Sequence, residues 1–499
     1  MMRPYGPWRP DQPEYTPNIV REASNVVPQV GGYGPVNDLV PFSSALDARC
    51  RGAVGYNAGG SEIVFAGTET ELYRINNATP AVISKSGGYS STAYWRFCLF
   101  GRRVIATNYN DDVQTYLIGT DSLFSDLNTS APKARTCATV GDFVVLGDVN
   151  DATDGAQDKR VHWSGFADPT SWPTPGSDSA LRQQSDFQDL RNDSGPIKAI
   201  VPGLFGADAL VMQERGVVRM NYVGARNAVF SFDPIEGARG CIAPNSPIIS
   251  GGIVYYPSED GFYASDGNSS EMIGFGKVDQ FFLNDLGAAD RDRIYGAADP
   301  RRKLFYWIYP GAGSVDGVPN RAICYNYGLK EFSLIEDWEA NVVFTSYNFS
   351  RLVDDVSDLV DTVDILVDSD FWRGGQQILA FIDTDNKLSY ASGRSLNAVV
   401  TSGTFAPVER RGSAPNSGMI TQLWPIVDGG APRGRLSYSD RLSTPQKFSE
   451  SATEQNAVGY CPQRVRGRYF QARTRMRAGQ DWNHLQGFET DWSEAGDRG

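Results

Sequence analysis

Residues 251–274, GGIVYYPSEDGFYASDGNSSEMIG, constrain this chain more than any other stretch. An apolar run Ile253-Val254-Tyr255-Tyr256 meets a Pro-Ser-Glu-Asp-Gly turn. A second run, Gly261-Phe262-Tyr263-Ala264, meets a Ser-Asp-Gly turn, and a short third run ends at Met272-Ile273. Short β-rich runs joined by Gly/Asp turns cannot sustain helices and read as an antiparallel meander. The same strand-turn-strand unit recurs, degenerately, at 62–76, 103–117, 209–222, 303–327 and 377–390. Several intervals are close to the roughly 40 to 50 residues of a propeller blade. The expected fold is therefore all-β, a β-propeller of six blades.

Composition agrees with that class. A chain of 499 residues with 52 Gly, 28 Pro and 12% aromatic residues buries a large core without long amphipathic helices. The predicted organisation is a Pro-rich N-terminal arm over 1–49 and a propeller over 50–400 with an acidic excursion near 345–371. A C-terminal β-rich region over 401–499 completes the propeller or forms a platform.

The formal charge of −13 excludes a protein that wraps DNA tightly through phosphate contacts. It is compatible with a surface past which DNA slides. The six cysteines (Cys50, Cys98, Cys137, Cys241, Cys324, Cys461) form no C-x-x-C pair and read as reduced core residues of a protein made in the cytoplasm. The N-terminus MMRPYGPWRPDQPEY has no apolar leader core, and no apolar run approaches a membrane span.

In the arm, Pro4, Pro7, Pro10, Pro13 and Pro17 hold the backbone extended and remove ladder donors, so it should lie over its own propeller or a neighbouring subunit. Residues 18–28, NIVREASNVVP, are expected to form a helical turn or two before Pro28. The runs 95–101 and 142–147 read as inner blade strands, buried on both faces. The aspartate-rich 148–159 lacks the acidic residue and glycine that an EF-hand loop needs, and reads as a solvated loop.

Residues 160–173, RVHWSGFADPTSWP, form the most distinctive string. A strand ends at Trp163-Ser164, and Asp168-Pro169-Thr170 begins a turn expected to return Trp172 to the same face, so that Trp163 and Trp172 clamp a loop to a blade edge. A sugar-stacking platform is the functional alternative. Residues 351–370 set Asp354, Asp355, Asp358, Asp361, Asp364, Asp368 and Asp370 against one arginine, with valines at helical spacing. Valine and aspartate both disfavour helix, so an irregular or partly helical excursion is expected. As a channel lining, its charges (Asp354, Asp355, Asp358, Asp361, Asp364) would repel phosphate and keep DNA mobile; otherwise it is a solvated surface loop.

Along 468–478, Phe470, Ala472, Thr474 and Met476 alternate with Arg473, Arg475 and Arg477. Three arginines on one strand face cannot be buried unpaired. The acidic complement is available in cis or on the next subunit, and an intersubunit contact is the working expectation.

Taken in order, the W-S strand end, D-P-T-x-W, the preceding D-F-V-V-L-G, G-F-Y-x-x-D-G with Ile273-Gly274, D-S-x-x-W-x-G-G at 368–375 and R-G-R-Y at 466–469 resemble the tail nozzle or hub proteins of short-tailed bacteriophages, also called phage stabilisation proteins. The resemblance spans nearly the whole chain. It implies a propeller subunit, usually six to a ring, in the lower tail of the virion. The subunits would stack below the portal and its adaptor proteins and contact fibre or needle proteins. The ring's channel would conduct phage DNA, retain the packaged genome and open for ejection.

Catalytic residues are not part of that family picture, and no cofactor is implied. His162 and His484 are the two histidines, and no G-x-S-x-G, H-E-x-x-H, Walker or G-x-G-x-x-G motif occurs. His162 beside Trp163 reads as a packed edge residue. The rival readings are a glycan-binding or glycan-hydrolysing propeller, which works with paired carboxylates or an arginine cluster, and a fibre-base structural protein.

Overall fold

The structure, a computed structural model, describes residues 2–58, 61–92, 94–225, 228–347, 377–407, 417–442, 445–449 and 451–494. Among them the chain builds seven four-stranded antiparallel units in succession. Blade 1 comprises Gly52–Ala58, Ser61–Gly67, Leu72–Ile75 and Ala81–Val82; blade 2 Arg96–Phe100, Arg103–Thr107, Gln114–Leu117 and Ser125–Asp126. Blade 3 comprises Lys133–Val140, Phe143–Asp151, Gly155–Trp163 and Asp186–Asp189; blade 4 Ile197–Pro202, Ala209–Gln213, Val217–Ala225 and Ala228–Glu236. Blade 5 is Ile248–Ser250, Ile253–Ser258, Gly261–Ser265 and Ser270–Met272; blade 6 is Tyr295–Asp299, Leu304–Tyr309, Arg321–Asn326 and Glu331–Ile335. Blade 7 takes Ala340–Tyr347, Gln377–Asp383 and Leu388–Tyr390 from one stretch and its outer strand, Val40–Pro41, from the arm.

The fold is an all-β propeller, with seven blades where six were expected. The uncounted unit is blade 3. Its central hairpin is long, and the first half of Gly155–Trp163 is polar and exposed, so the apolar run of Phe143–Asp151 has no matching second run directly after its turn. The aspartate-rich stretch read as a solvated loop is largely strand: Asp151 pairs with Gly155 across a three-residue turn.

First strands of most successive blades lie side by side, which makes them the inner strands. The seams from blade 1 through blade 5 each hold their own apolar core, whereas blades 6, 7 and 1 share one. Phe65, Trp95 and Tyr116 fill the seam of blades 1 and 2; Val145, Trp163, Val211 and Phe230 that of blades 3 and 4; Leu210, Met212 and Tyr256 that of blades 4 and 5. The ring closes where Gly52–Ala58 meets Ala340–Tyr347. A Cβ on Gly55 would lie 2.2 Å from Ser346 Oγ, so only glycine allows this approach. Tyr390 pairs with Val40, which ties the ends of the ring together.

The two ends of the chain build a second body, a two-sheet sandwich. Arg3–Pro4, Val26–Gln29 and Gly32–Pro35 join Trp482–Glu494, Gly418–Gly429 and Cys461–Gly467 in one sheet. Val20–Ser24 joins Ala398–Ser402, Tyr469–Met476, Arg433–Ser439, Lys447–Phe448 and Thr453–Glu454 in another, continuous with blade 6 through the Ser24 to Leu334 bridge. Ile420, Leu423, Leu436, Phe470 and Phe488 are buried in the apolar core these sheets share with blades 5 and 6. Residues 18–28 are strands, not helical turns. Val20, Ala23, Val26 and Val27 are all buried, and Asn25 at φ 56° breaks the chain between the two strands. The Asn25 side chain donates to Asp337 Oδ2 at 2.7 Å and to the Asn397 carbonyl at 2.9 Å, and accepts from Glu336 N–H at 2.9 Å.

Candidate functional site: the mouth of the propeller

A four-stranded antiparallel blade returns the chain to the end at which it entered, so every inner strand starts at the same mouth. The residues gathered there are basic. Arg51 immediately precedes Gly52–Ala58, Arg96 opens Arg96–Phe100, and Lys198 is the second residue of Ile197–Pro202. Arg293 ends the short 3-10 helix Ala288–Arg293 that leads into Tyr295–Asp299. Lys198 of blade 4 meets Asp292, beside blade 6, at 3.5 Å, a pair that reaches past blade 5.

Arg49 joins the group. Burial, then Arg293 and Arg51, hold its pKa below the usual arginine range. Burial does the same to Arg96, whose electrostatic neighbours include Tyr295, Tyr94 and Asp292. Arg293 donates to the Asp316 carbonyl and to the Tyr94 hydroxyl. Arg96 Nη1 and Arg51 Nε are buried with no hydrogen-bond partner. In a chain with 46 basic and 59 acidic residues, this concentration of cations is local and was not legible in sequence. Its members lie in different blades, one or two per blade.

The residues singled out from sequence lie elsewhere. Asp354, Asp355, Asp358, Asp361 and Asp364 fall outside the described residues, as does the 368–375 motif. Trp163 and Trp172 are both buried, but they do not share a face. Neighbouring residues of a strand point to opposite sides. Trp172 packs on His162, ring centroids 5.4 Å apart, while Trp163 packs on Phe230 at 5.2 Å. The two indoles therefore belong to separate seams, Trp172 between blades 2 and 3 and Trp163 between blades 3 and 4. Each anchors backbone: Trp172 Nε1 donates to the Pro169 carbonyl and Trp163 Nε1 to the Gln184 carbonyl, both at 2.9 Å.

Arg473, Arg475 and Arg477 find partners within the chain. Arg473 pairs with Glu22 at 2.6 Å and donates to Thr401 Oγ1 at 3.0 Å. Arg475 donates to Asn397 Oδ1 at 2.6 Å, and Arg477 pairs with Glu454. The unpaired charge that pointed to a second subunit is thus met in cis.

Two buried titratable groups are structural. His162 is 3% exposed, lies between Trp172 and Phe187, and has no hydrogen-bond partner at either ring nitrogen. Burial pushes its pKa down to about 4. Asp279 accepts from Phe262 N–H at 3.0 Å, and burial pushes its pKa up to about 7. Gly261 and Gly274 make its room, since a Cβ on either would lie within 2.2 Å of the carboxylate.

A polar cavity of about 510 Å³ opens at the seam of blades 6 and 7 with the sandwich. Tyr306, Trp338, Tyr390 and Trp482 back it, Arg301, Arg302 and Arg394 rim it, and Ser392 Oγ and Trp482 Nε1 are buried there without partners. Among the described residues, no group of three or more His, Cys, Asp or Glu side chains is placed to hold a metal, and all six cysteines are free and buried. No described helix is long and apolar enough to cross a membrane.

No family model and no curated protein matches this sequence. Solved structures similar to it include the β-propeller domain of Cps50 (Swd1) from Myceliophteria thermophila, at 8% identity over 71% of this chain and 98% of that one, TM-score 0.42. The WD40 repeats of RRP9 align at 9% identity over 63% of this chain and 88% of that one, TM-score 0.37. The computationally designed Ika8 protein aligns at 10% identity over 70% and 99%, TM-score 0.37. With TM-scores below 0.5 these likenesses carry no argument, and the propeller is read from its own strand order.

Proposed function

We propose that this chain is a structural subunit of the lower tail, the nozzle or hub, of a short-tailed bacteriophage. Copies assemble as a ring, six to the turn, below the adaptor proteins and against fibre or needle proteins, and the ring passes phage DNA. The observation that carries the reading is the work done by the residues of the sequence resemblance. Asp168 Oδ1 accepts from Thr170 N–H and Oγ1 at 2.9 and 2.7 Å, and Trp172 locks the same turn through the Pro169 carbonyl. Gly261 and Gly274 house Asp279, and 466–469 spans the bend between the strands Cys461–Gly467 and Tyr469–Met476. These are architectural devices, as a rigid tube component requires, and none of them sets up chemistry.

The DNA path of this reading is the channel of the ring of subunits. Labelling phage-like particles with antibody against the recombinant chain tests the reading. Label confined to the lower tail, with a sixfold cross-section, is expected; particles that carry no label would overturn it.

A second reading, a glycan-binding or glycan-hydrolysing propeller, is favoured by the cavity at the blade 6 and 7 seam, with its aromatic backing and orphan polar atoms. Binding or turnover of surface polysaccharides, lost on Trp482→Ala, would move that reading ahead.

A further inference from the structure

We propose that the mouth of the propeller is a binding site for a phosphoryl oxyanion, held by Arg49, Arg51 and Arg96 with Lys198 and Arg293 at its rim. The inference is independent of the tail reading. Five cations converge from blades 1, 2 and 4 and from the approach to blade 6; Lys198 is paired with Asp292 and also neighbours Asp148, and Arg293 donates to the Asp316 carbonyl, so Arg49, Arg51 and Arg96 carry the site. Cations buried without a counter-ion are costly, and a buried guanidinium nitrogen without an acceptor adds to the cost. Arg96 Nη1 and Arg51 Nε are two such nitrogens on neighbouring blades. Their strands are held side by side by backbone, since Trp95 N–H donates to the Arg51 carbonyl at 3.1 Å.

The chemistry of the donors selects the ligand class. Guanidinium forks match the spaced oxygens of phosphate and engage them bidentately. Arg49, Arg51 and Arg96 bring three guanidinium groups to the mouth, which a phosphate or pyrophosphate, with several charges on several acceptors, matches better than a single carboxylate does. The hydroxyl of Tyr295, held protonated by burial, is a neutral donor in the same neighbourhood. Free phosphate and the phosphodiester of a nucleic-acid strand offer the same oxygens.

Thermal melting of the full chain is the test, in sodium chloride against sodium phosphate and pyrophosphate at equal ionic strength, and against a single-stranded oligothymidylate. Pyrophosphate is expected to raise Tm by about 2 °C or more at saturating concentration. The double variant Arg51→Gln/Arg96→Gln is expected to abolish that shift while melting no lower than wild type in chloride. Arg49→Gln, on a half-exposed residue outside the cores, is expected to weaken the shift and serves should the double variant not fold. Arg475→Gln, on the exposed sandwich face, is expected to keep the full shift. An oligonucleotide that reproduces the shift assigns the source to a nucleic-acid backbone, and shifts from the free anions alone assign it to a small phosphate. No shift beyond that of chloride, or a shift retained in the double variant, would overturn the site.

Discussion

Six of the seven blades and the sandwich bury aromatic cores of similar kind but are put together in opposite ways. A blade such as blade 3 draws all four strands from one continuous stretch, 133–189, through hairpins. The sandwich joins strands from residues 3–35 to strands from 398–494, and its sheets are incomplete until both ends of the chain are present. Blade 7 stands between the two modes, with three local strands and one, Val40–Pro41, from the arm. Local units are expected to form early, and the sandwich only after most of the chain has folded.

The largest expected effect comes from removing the arm. Without residues 2–35 one sheet loses three strands and the other loses Val20–Ser24, the element that connects it to blade 6. The truncated chain is expected to lose the sandwich to limited proteolysis from about residue 398 onward while the blades resist. A subtler break is Gly6→Ala, whose Cβ would lie 1.7 Å from the Asn18 carbonyl oxygen. Because the obstacle is backbone, the cost should exceed about 3 kcal/mol in denaturant melts. Equal protease resistance of both bodies in the truncated chain would mean that the sandwich does not depend on the arm.

Within the ring, Trp163→Ala is expected to cost about 3 to 5 kcal/mol, since it opens the seam of blades 3 and 4 against Phe230 and Phe232. Trp172→Ala should cost a similar amount from a different seam, and the double variant should be nearly additive because the two indoles share no core. A large coupling energy between them would restore the single clamp inferred from sequence.

What sequence could reveal follows the same division. The blade 5 meander was legible because its partners are adjacent in sequence: Tyr256 faces Tyr263, and Tyr263 faces Met272. Blade 3 escaped counting because polar residues in the outer part of its hairpin hid the alternation. The alternation along Tyr469–Met476 was readable, with Phe470, Ala472, Thr474 and Met476 all buried, but the partner of Arg473 was not, because Glu22 lies 451 residues away. The basic mouth was invisible for the same reason, since no short window contains residues from more than two blades.

The pH dependence separates His162 in the ring from Asp279, whose electrostatic neighbours include Asp11 of the arm. The His162 pKa is about 4 in the fold against 6.5 ordinarily, so below 6.5 the unfolded chain binds a proton the fold does not. Stability from this group is lost as pH falls from 6.5 to 4, by about 3 kcal/mol. Asp279, at about 7 in the fold against 3.8, has the opposite sign: the fold keeps a proton the unfolded chain releases, and stability is lost as pH rises from 3.8 to 7. The two slopes oppose one another between about pH 4 and 6.5. Relative to wild type, His162→Phe is expected to make stability fall more steeply with pH over that range and Asp279→Asn to make it fall less steeply, both read from urea midpoints across pH.

The smallest effect is expected at Arg473, and it bears most directly on how the two ends of the chain are held. Its guanidinium joins Glu22 of the arm to Thr401 and lies 4.6 Å from the Phe448 ring centroid, so it touches both contributors to one sheet. The pair is partly exposed, with side chains 31% and 36% accessible, and is screened by solvent. Arg473→Gln should therefore cost about 1 kcal/mol or less, confined to the sandwich. Arg473→Glu adds repulsion from Glu22 and should cost more, with Glu22→Arg in the same chain recovering most of the loss. Recovery in cis, measured as the protease resistance of residues 398–494, would place the function of this arginine in joining the ends of one subunit. A Glu variant that folds normally but fails to form rings would instead return it to the contact between subunits.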